Sequence, residues 1–152
     1  MANIEDGATA FFSADHTACD EAWAKVEASG GDAKAISAAF HSFEALMDRH
    51  LRMEEEVLFP AFEAATGMRG VGPTEVMRHE HRQMRAILSD MNLAVSESRT
   101  DNVLDLGDTL LMLIQQHNAK EEGMLYPMAD AQLGDEWPEL AKRLHTYLAR
   151  PA

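Results

Sequence analysis

The sequence predicts an all-α protein, folded as an up-down-up-down antiparallel four-helix bundle with a short fifth C-terminal helix. Glycine and proline cluster in a few short segments, and the long stretches between them are rich in Ala, Leu, Met, Glu and Gln, which favour helix. No run of β-branched residues alternates with period two, so no strand is predicted. Because the links are short, consecutive helices are expected to be antiparallel neighbours.

The chain length fits one domain over residues 1–152. Asp32 is a suitable N-cap for the second helix, and Pro73 suits the first turn of the third. The segments rich in glycine and proline separate five predicted helices, over about residues 8–29, 33–65, 73–96, 102–134 and 136–149.

The charge of the chain limits the classes of partner. Its 26 acidic residues outnumber 13 basic ones, which argues against binding to nucleic acid or to an anionic membrane. A single cysteine, Cys19, rules out an internal disulfide. The opening segment lacks the features of a signal peptide, and no stretch reaches the roughly 18 apolar residues of a membrane-spanning helix. We therefore expect a cytoplasmic protein, and the sequence predicts no particular protein partner.

One phrase occurs twice. HLRMEEEVLFP from His50 and HNAKEEGMLYP from His117 start 67 residues apart and share the pattern His-x-x-x-Glu-Glu-x-x-Leu-(Phe or Tyr)-Pro. His16 precedes His50 by 34 residues, and His81 precedes His117 by 36. The spacing predicts one helical hairpin used twice, related by a pseudo-two-fold axis.

The helical pitch of about 100° per residue decides which side chains of the phrase face the core. On that pitch His50 lies in the middle of the apolar stripe of its helix. Glu54 joins the stripe one turn later, whereas Glu55 points away. In the second copy Glu121 joins the face of His117, as does Met124, and Glu122 leaves it.

These core-facing polar residues predict a metal site. A buried carboxylate is costly unless a positive charge compensates it, and two metal ions would serve four imidazoles and two carboxylates at once. A lone core histidine is more often just hydrogen-bonded, but here the motif is doubled and two further histidines occur at matched offsets. The predicted metal ligands are His16, His50, Glu54, His81, His117 and Glu121.

The remaining histidines, the cysteine and the second glutamate of each phrase are not predicted to be metal ligands. His41, His79 and His145 are predicted to be surface or packing residues. Cys19 and the methionines are predicted to fill the core, although Cys19 is close enough to His16 to line the site. Glu55 and Glu122 are expected to flank the site.

The ligand types narrow the choice of metal. Imidazole with carboxylate suits iron, manganese or zinc, and six ligands around two central carboxylates favour a dinuclear site over the usual zinc sites. The Glu-x-x-His signature of ferritin-like bundles is absent, as is the His-Glu-x-x-His of zinc proteases.

The sequence resembles the hemerythrin-like (HHE cation-binding) family. The resemblance extends to about Asp130 and is carried by His16, the two phrases and the pair Glu80–His81. It implies a four-helix bundle with an oxo- or hydroxo-bridged pair of non-haem iron ions, for which manganese or zinc are possible substitutes.

The resemblance also implies an assignment of the six ligands. His16 and His50 would bind one iron, and His81 and His117 the other. Glu54 and Glu121 would bridge the two ions.

Two departures from the O₂-carrying hemerythrins indicate a divergent branch. Those proteins have a His-x-x-x-His pair on the third helix, whereas Met77 and Arg85 stand four residues before and after His81. Their bridging carboxylate on the fourth helix comes five residues after the histidine of that helix. Here the repeated phrase favours Glu121 as the bridging residue, four residues after His117. The chain is nearer to the branch that includes iron–sulfur cluster repair proteins and proteins that handle peroxide or nitric oxide.

The favoured function is a non-haem di-iron protein of iron and redox homeostasis that reacts with O₂, peroxide or NO, or donates iron. If it is an enzyme, its activity is of the oxidoreductase type. The alternative is a reversible O₂ carrier or sensor, which the missing third-helix histidine disfavours. A metal-free helical interaction module is a third interpretation. No separate catalytic residue or organic cofactor site is predicted.

Overall fold

The computed structural model describes residues 3–149, where the only regular structure is helical. Helix α1 spans Ala8–Glu27, α3 spans Pro73–Ser96 and α5 spans Trp137–Leu148. Helices α2 and α4 are each continuous but contain one wider turn. The α2 segments are Ala33–Met53, Glu54–Leu58 and Phe59–Thr66, and the α4 segments are Thr100–Lys120, Glu121–Leu125 and Tyr126–Leu133. The predicted all-α helical bundle is confirmed.

The ends of α2 follow from local chemistry. The Asp32 side chain accepts hydrogen bonds from the backbone N–H groups of Lys34 and Ala35 at 2.9 and 3.1 Å, which confirms it as the N-cap. The helix ends at Gly67, whose φ of 73° is a left-handed conformation that glycine adopts without strain.

The wider turns are π-helical and begin at the two predicted bridging glutamates. In each, a backbone N–H bonds five residues back: Phe59 to the carbonyl of Glu54, and Tyr126 to that of Glu121. A proline follows directly in both copies, and a proline ring inside a regular helix clashes with the carbonyl four residues earlier. In α2 that carbonyl, of Glu56, accepts a hydrogen bond from Arg143 Nη2 at 3.1 Å. The wider turn thus accommodates each proline without breaking the helix.

The apolar core forms two clusters. One contains Phe12, Val57, Phe59 and residues of α5, and the other contains Trp23, Phe40 and Met84. The predicted metal ligands lie where the two clusters meet. The site is therefore surrounded by apolar side chains on both sides along the bundle axis.

One predicted core position is wrong. Met124 is 46 % exposed, although Val57 occupies the same place in the first copy of the phrase and is buried. The π-helical turn rotates this position away from the bundle axis. Helix α5 then covers Val57, which belongs to the same apolar cluster as Leu140 and Leu144. In residues 3–149 no helix is both long and apolar enough to cross a lipid bilayer.

Candidate metal centre

The six predicted ligand residues converge in the middle of the bundle. All are buried, and only His16 exceeds 3 % exposure, at 5 %. Helix α1 supplies His16 and α3 supplies His81, while α2 and α4 each supply a histidine and a glutamate. Their ligand atoms form two groups, each with all atoms within 4.8 Å of one another: His16, His50 and Glu121 in one, and Glu54, His81, His117 and Glu121 in the other.

Each glutamate lies between histidines of different pairs. Glu54 Oε1 is 3.3 Å from His50 Nε2 and 3.2 Å from His81 Nε2. Glu121 Oε1 is 3.1 Å from both His117 Nε2 and His16 Nε2. Glu54 and Glu121 are therefore the two carboxylates placed between the histidine pairs.

A second set of carboxylates fixes the histidines from outside. Every one of the four has its Nδ1 within hydrogen-bonding distance of a carboxylate on a neighbouring helix. The pairs are His16–Glu122 at 2.7 Å, and His50–Asp15, His81–Glu55 and His117–Glu80 at 2.8 Å. Such a contact sets the ring orientation, so that Nε2 points inward, and it makes Nε2 the acceptor whenever the ring is neutral.

Basic side chains hold three of these outer carboxylates. Arg85 Nη2 is 3.0 Å from Glu55 Oε1, and its Nη1 is 2.8 Å from Asp48. The other two contacts are Arg49 with Asp15, at 3.7 Å, and Lys120 with Glu80. Glu122 has no basic partner apart from His16 within residues 3–149.

Sequence reasoning missed Tyr126. Its buried hydroxyl donates to Glu54 Oε2 at 2.7 Å and lies 3.1 Å from His16 Nε2. Burial, with the charges of Glu121 and Glu54, raises the pKa of this phenol well above its usual value, so it stays a donor. The signal was the Phe-or-Tyr position of the repeated phrase.

The roles of Asp15 and Glu80 were also missed. Each stands directly before a predicted ligand histidine, His16 or His81. Their carboxylates instead reach the histidine of the next helix, His50 or His117. An acid at the same place in both hairpins was the available signal.

The protonation state of the cluster reflects its crowded charges. Burial opposes protonation of His81, but the nearby carboxylates of Glu54 and Glu55 outweigh it and raise its pKa to about 9. Burial likewise opposes ionisation of Glu54, but His50 and other neighbours hold its pKa well below the usual range. Protons therefore compensate the buried carboxylates when no metal does.

The donor set fits a metal ion. Five buried atoms have no hydrogen-bond partner among the described residues: Nε2 of His50, His81 and His117, Glu54 Oε1 and Glu121 Oε2. Four of them, the three Nε2 atoms and Glu54 Oε1, lie 3.1–3.3 Å from another atom of the cluster but without hydrogen-bond geometry. Unsatisfied buried polar atoms cost about 1–3 kcal/mol each, and imidazole nitrogens facing carboxylate oxygens are ligands that transition metals prefer.

The remaining histidines lie elsewhere. His41, His79 and His145 are exposed. Cys19 is buried beside the site and lines a small cavity with His16 and His50. Burial raises the pKa of its thiol to about 11, which keeps it protonated and poorly nucleophilic.

Residues 8–129 match the model of the hemerythrin HHE cation binding domain. The chain belongs to this family. Two curated relatives are iron–sulfur cluster repair proteins named YtfE. The hemerythrin-like chain is 30 % identical over 113 residues to that of Edwardsiella ictaluri (strain 93-146), covering 69 % of this chain and 50 % of the relative. It is 27 % identical over 96 residues to that of Musicola paradisiaca (strain Ech703), covering 55 % and 41 %.

The hemerythrin-like chain thus spans half or less of the length of these relatives. No solved structure matches it. The family match covers α1 to α3 and most of α4, which carry all six candidate ligands.

Proposed function

We propose that the chain binds two iron ions and serves iron and redox homeostasis by reacting with O₂, peroxide or NO, or by donating iron. The observation that carries the proposal is the pair of ligand groups joined through Glu121. His16 and His50 would hold one ion, His81 and His117 the other, and Glu54 and Glu121 would bridge them.

The protein side of this function is positioning and desolvation. The outer carboxylates fix the four imidazoles, and the two apolar clusters exclude bulk water from the ligands. Bound iron would supply one-electron redox chemistry and open coordination positions for small molecules.

The matched relatives favour iron donation within this range of functions. Both are named iron–sulfur cluster repair proteins, and an iron site that releases its metal fits such a role. The chain spans half or less of the length of these relatives, so their repair role extends to this chain only as part of the proposal.

Reversible O₂ binding is the second candidate function, and the residue at position 77, Met77, disfavours it. Met77 is buried in the apolar cluster near Phe59, where an O₂ carrier of this family offers a histidine. A thioether does not replace that imidazole, so neither metal position gains a third histidine.

Anaerobic reconstitution with Fe(II) tests the proposal. We expect about two iron ions per chain by metal analysis. After exposure to O₂ and its removal, the absorption spectrum should not return to that of the starting Fe(II) protein. Full recovery of the starting spectrum would support the carrier, and a stoichiometry near zero would refute the metal site.

A further inference from the structure

The four outer carboxylates are not equivalent. Asp15, Glu55 and Glu80 each contact a basic residue as well as their histidine, whereas Glu122 contacts only His16 among residues 3–149. The Glu122 side chain is 43 % exposed, against 9 to 25 % for the other three. The outer nitrogen of His16, Nδ1, is therefore held by a single hydrogen bond to a carboxylate that is itself partly exposed and has no basic partner among residues 3–149.

The two metal positions are also unequal. The ligand atoms that lie within 4.8 Å of one another come from three residues around His16 and His50 and from four around His81 and His117, so Glu54 is placed with the second group although its Oε1 also lies 3.3 Å from His50 Nε2. In addition, the Tyr126 hydroxyl lies 3.1 Å from the Nε2 of His16, the nitrogen that would bind the ion. The phenol therefore competes with an ion for a ligand atom of the His16 and His50 position.

An acidic groove reaches the same corner of the bundle. It lies between α1 and α4, has a volume of about 440 Å³, and is lined by Asp20, Glu27 and Glu122. No basic residue lines it in the part of the chain that the structure describes. Carboxylates around a cleft raise the local concentration of cations.

The groove adjoins the metal ligands. It shares Asp20, Trp23 and Asn118 with a cavity of about 10 Å³, roughly the space of one water molecule, which is also lined by His16, His50 and His117. The buried Nε2 atoms of His50 and His117 have no hydrogen-bond partner among the described residues. The acidic surface and the unsatisfied ligand atoms thus lie on one path.

The groove on the opposite face shares no lining residue with this cavity in the part of the chain that the structure describes. A larger groove between α2 and α3, of about 780 Å³, is lined by Arg85. This guanidinium binds Asp48 and Glu55 together, so a cation stands between the solvent and His81.

We infer that the metal position formed by His16 and His50 is the exchangeable one, and that its ion enters and leaves through the acidic groove between α1 and α4, past Glu122. The inference rests on the proposed function and specifies which iron would be donated. Opening the Glu122 hydrogen bond removes the only outer support of the His16 imidazole among residues 3–149, and its Nε2 can then exchange the ion for the Tyr126 hydroxyl. The other three histidines are held by carboxylates that a basic residue also binds.

Release kinetics test the position. The full chain is loaded with two Zn(II) ions, which avoids redox chemistry, and a chromogenic chelator then removes them. We expect two phases, with one ion leaving on the order of ten times faster than the other. Zinc anomalous scattering from half-depleted crystals should show the remaining ion at His81 and His117.

A matched pair of variants assigns the phases. Glu122 and Glu55 occupy the same position in the two copies of the phrase. Glu122→Ala should accelerate only the fast phase, by about tenfold, and the milder Glu122→Gln should do so to a smaller extent. Glu55→Ala should act on the slow phase. A fast phase that responds to Glu55→Ala and not to Glu122→Ala would overturn the inference.

A second pair of variants tests the route without touching a ligand contact. Asp20→Asn with Glu27→Gln should slow Zn(II) uptake several-fold at low ionic strength, and the effect should vanish at high salt. Glu44→Gln with Asp90→Asn removes the same charge from the groove between α2 and α3 and should leave uptake unchanged. Equal slowing by both pairs would show attraction by net charge alone and would overturn the route.

The outcomes separate this inference from the proposed function. A chain that retains two ions but releases them at one rate overturns the inference and leaves the di-metal site intact. A chain that binds no metal overturns both.

Discussion

The hydroxyl of Tyr126 donates a hydrogen bond to Oε2 of Glu54 at 2.7 Å across 72 residues of sequence. The Tyr126 ring lies 5.6 Å from the ring of His16 at an interplanar angle of 33°. Phe59, at the same place in the first phrase, lies 5.4 Å from His81 at the same angle. The hydroxyl is therefore an addition to one half of an otherwise repeated arrangement.

Tyr126→Phe should destabilise the metal-free protein by about 1–3 kcal/mol, because it leaves buried carboxylate oxygens without their donor. Urea unfolding in the presence of a chelator measures this. Tyr147→Phe removes a more exposed hydrogen bond, to Glu56, and should cost less than about 1 kcal/mol. Equal losses for the two variants would contradict the role given to Tyr126.

Glu54→Gln should weaken metal binding far more than Glu55→Gln. Glu54 is fully buried between two Nε2 atoms, whereas Glu55 contacts the outer nitrogen of His81. Replacing a carboxylate that only hydrogen-bonds to a ligand histidine lowers metal affinity by about 10- to 100-fold. Replacing a bridging ligand should lower the affinity by more than that. Competition titrations with a chelator compare the two affinities, and similar losses would show that Glu54 does not bridge.

Metal should stabilise the fold. An ion that binds only the folded state, present at one hundred times its Kd, adds about 2.7 kcal/mol. Melting temperatures of metal-free and Zn(II)-loaded protein at pH 7.5 should therefore differ, and the difference should grow with free Zn(II). The His50→Gln variant provides the control, since its shift should be smaller. No shift in the parent protein would refute the metal site.

The stability of the metal-free protein should fall as the pH rises from about 6.5 to above 9. The pKa of His81 rises from 6.5 to about 9 on folding, so the folded state holds this proton more tightly. Its contribution is complete below the unfolded pKa and is lost as the pH passes the folded one. Urea unfolding across this range measures the decline. His81→Gln should make it shallower, and a flat profile in the parent protein would contradict the expectation.

Substitution of two helical glycines by alanine should change the free energy of unfolding in opposite directions. A Cβ on Gly107 would lie 2.1 Å from Cη2 of the buried Trp23 ring, so Gly107→Ala should destabilise by about 1–3 kcal/mol. A Cβ on Gly123 meets nothing within 4 Å among the described residues, and Gly123→Ala should stabilise by up to about 1 kcal/mol. Thermal unfolding compares the two. Adding Trp23→Phe should recover part of the Gly107→Ala loss, which a general helix effect would not.

The helices could be predicted, as could the helix faces on which Glu54 and Glu121 lie, because the spacing of apolar residues and the repeated phrase are local signals in the sequence. The π-helical turns could not, since they arise from a proline acting on a carbonyl four residues earlier within a helix that still continues. Tyr126 and Asp15 were missed because their partners lie on other helices, and spacing along one helix does not reveal them. The exposure of Met124 depends on which hairpin α5 covers, a tertiary property.

The circuit of outer carboxylates makes the metal centre a seam between the two halves of the chain. Asp15–His50 and Glu80–His117 each join helices within one hairpin, whereas Glu55–His81 and Glu122–His16 each join one hairpin to the other. Separating the hairpins would therefore take away two of the four histidine supports. It would also take from Glu54 and Glu121 one of the two histidines that each contacts, His81 and His16. The six predicted ligands therefore come together only when the two hairpins have docked, and the set is complete only in the whole bundle.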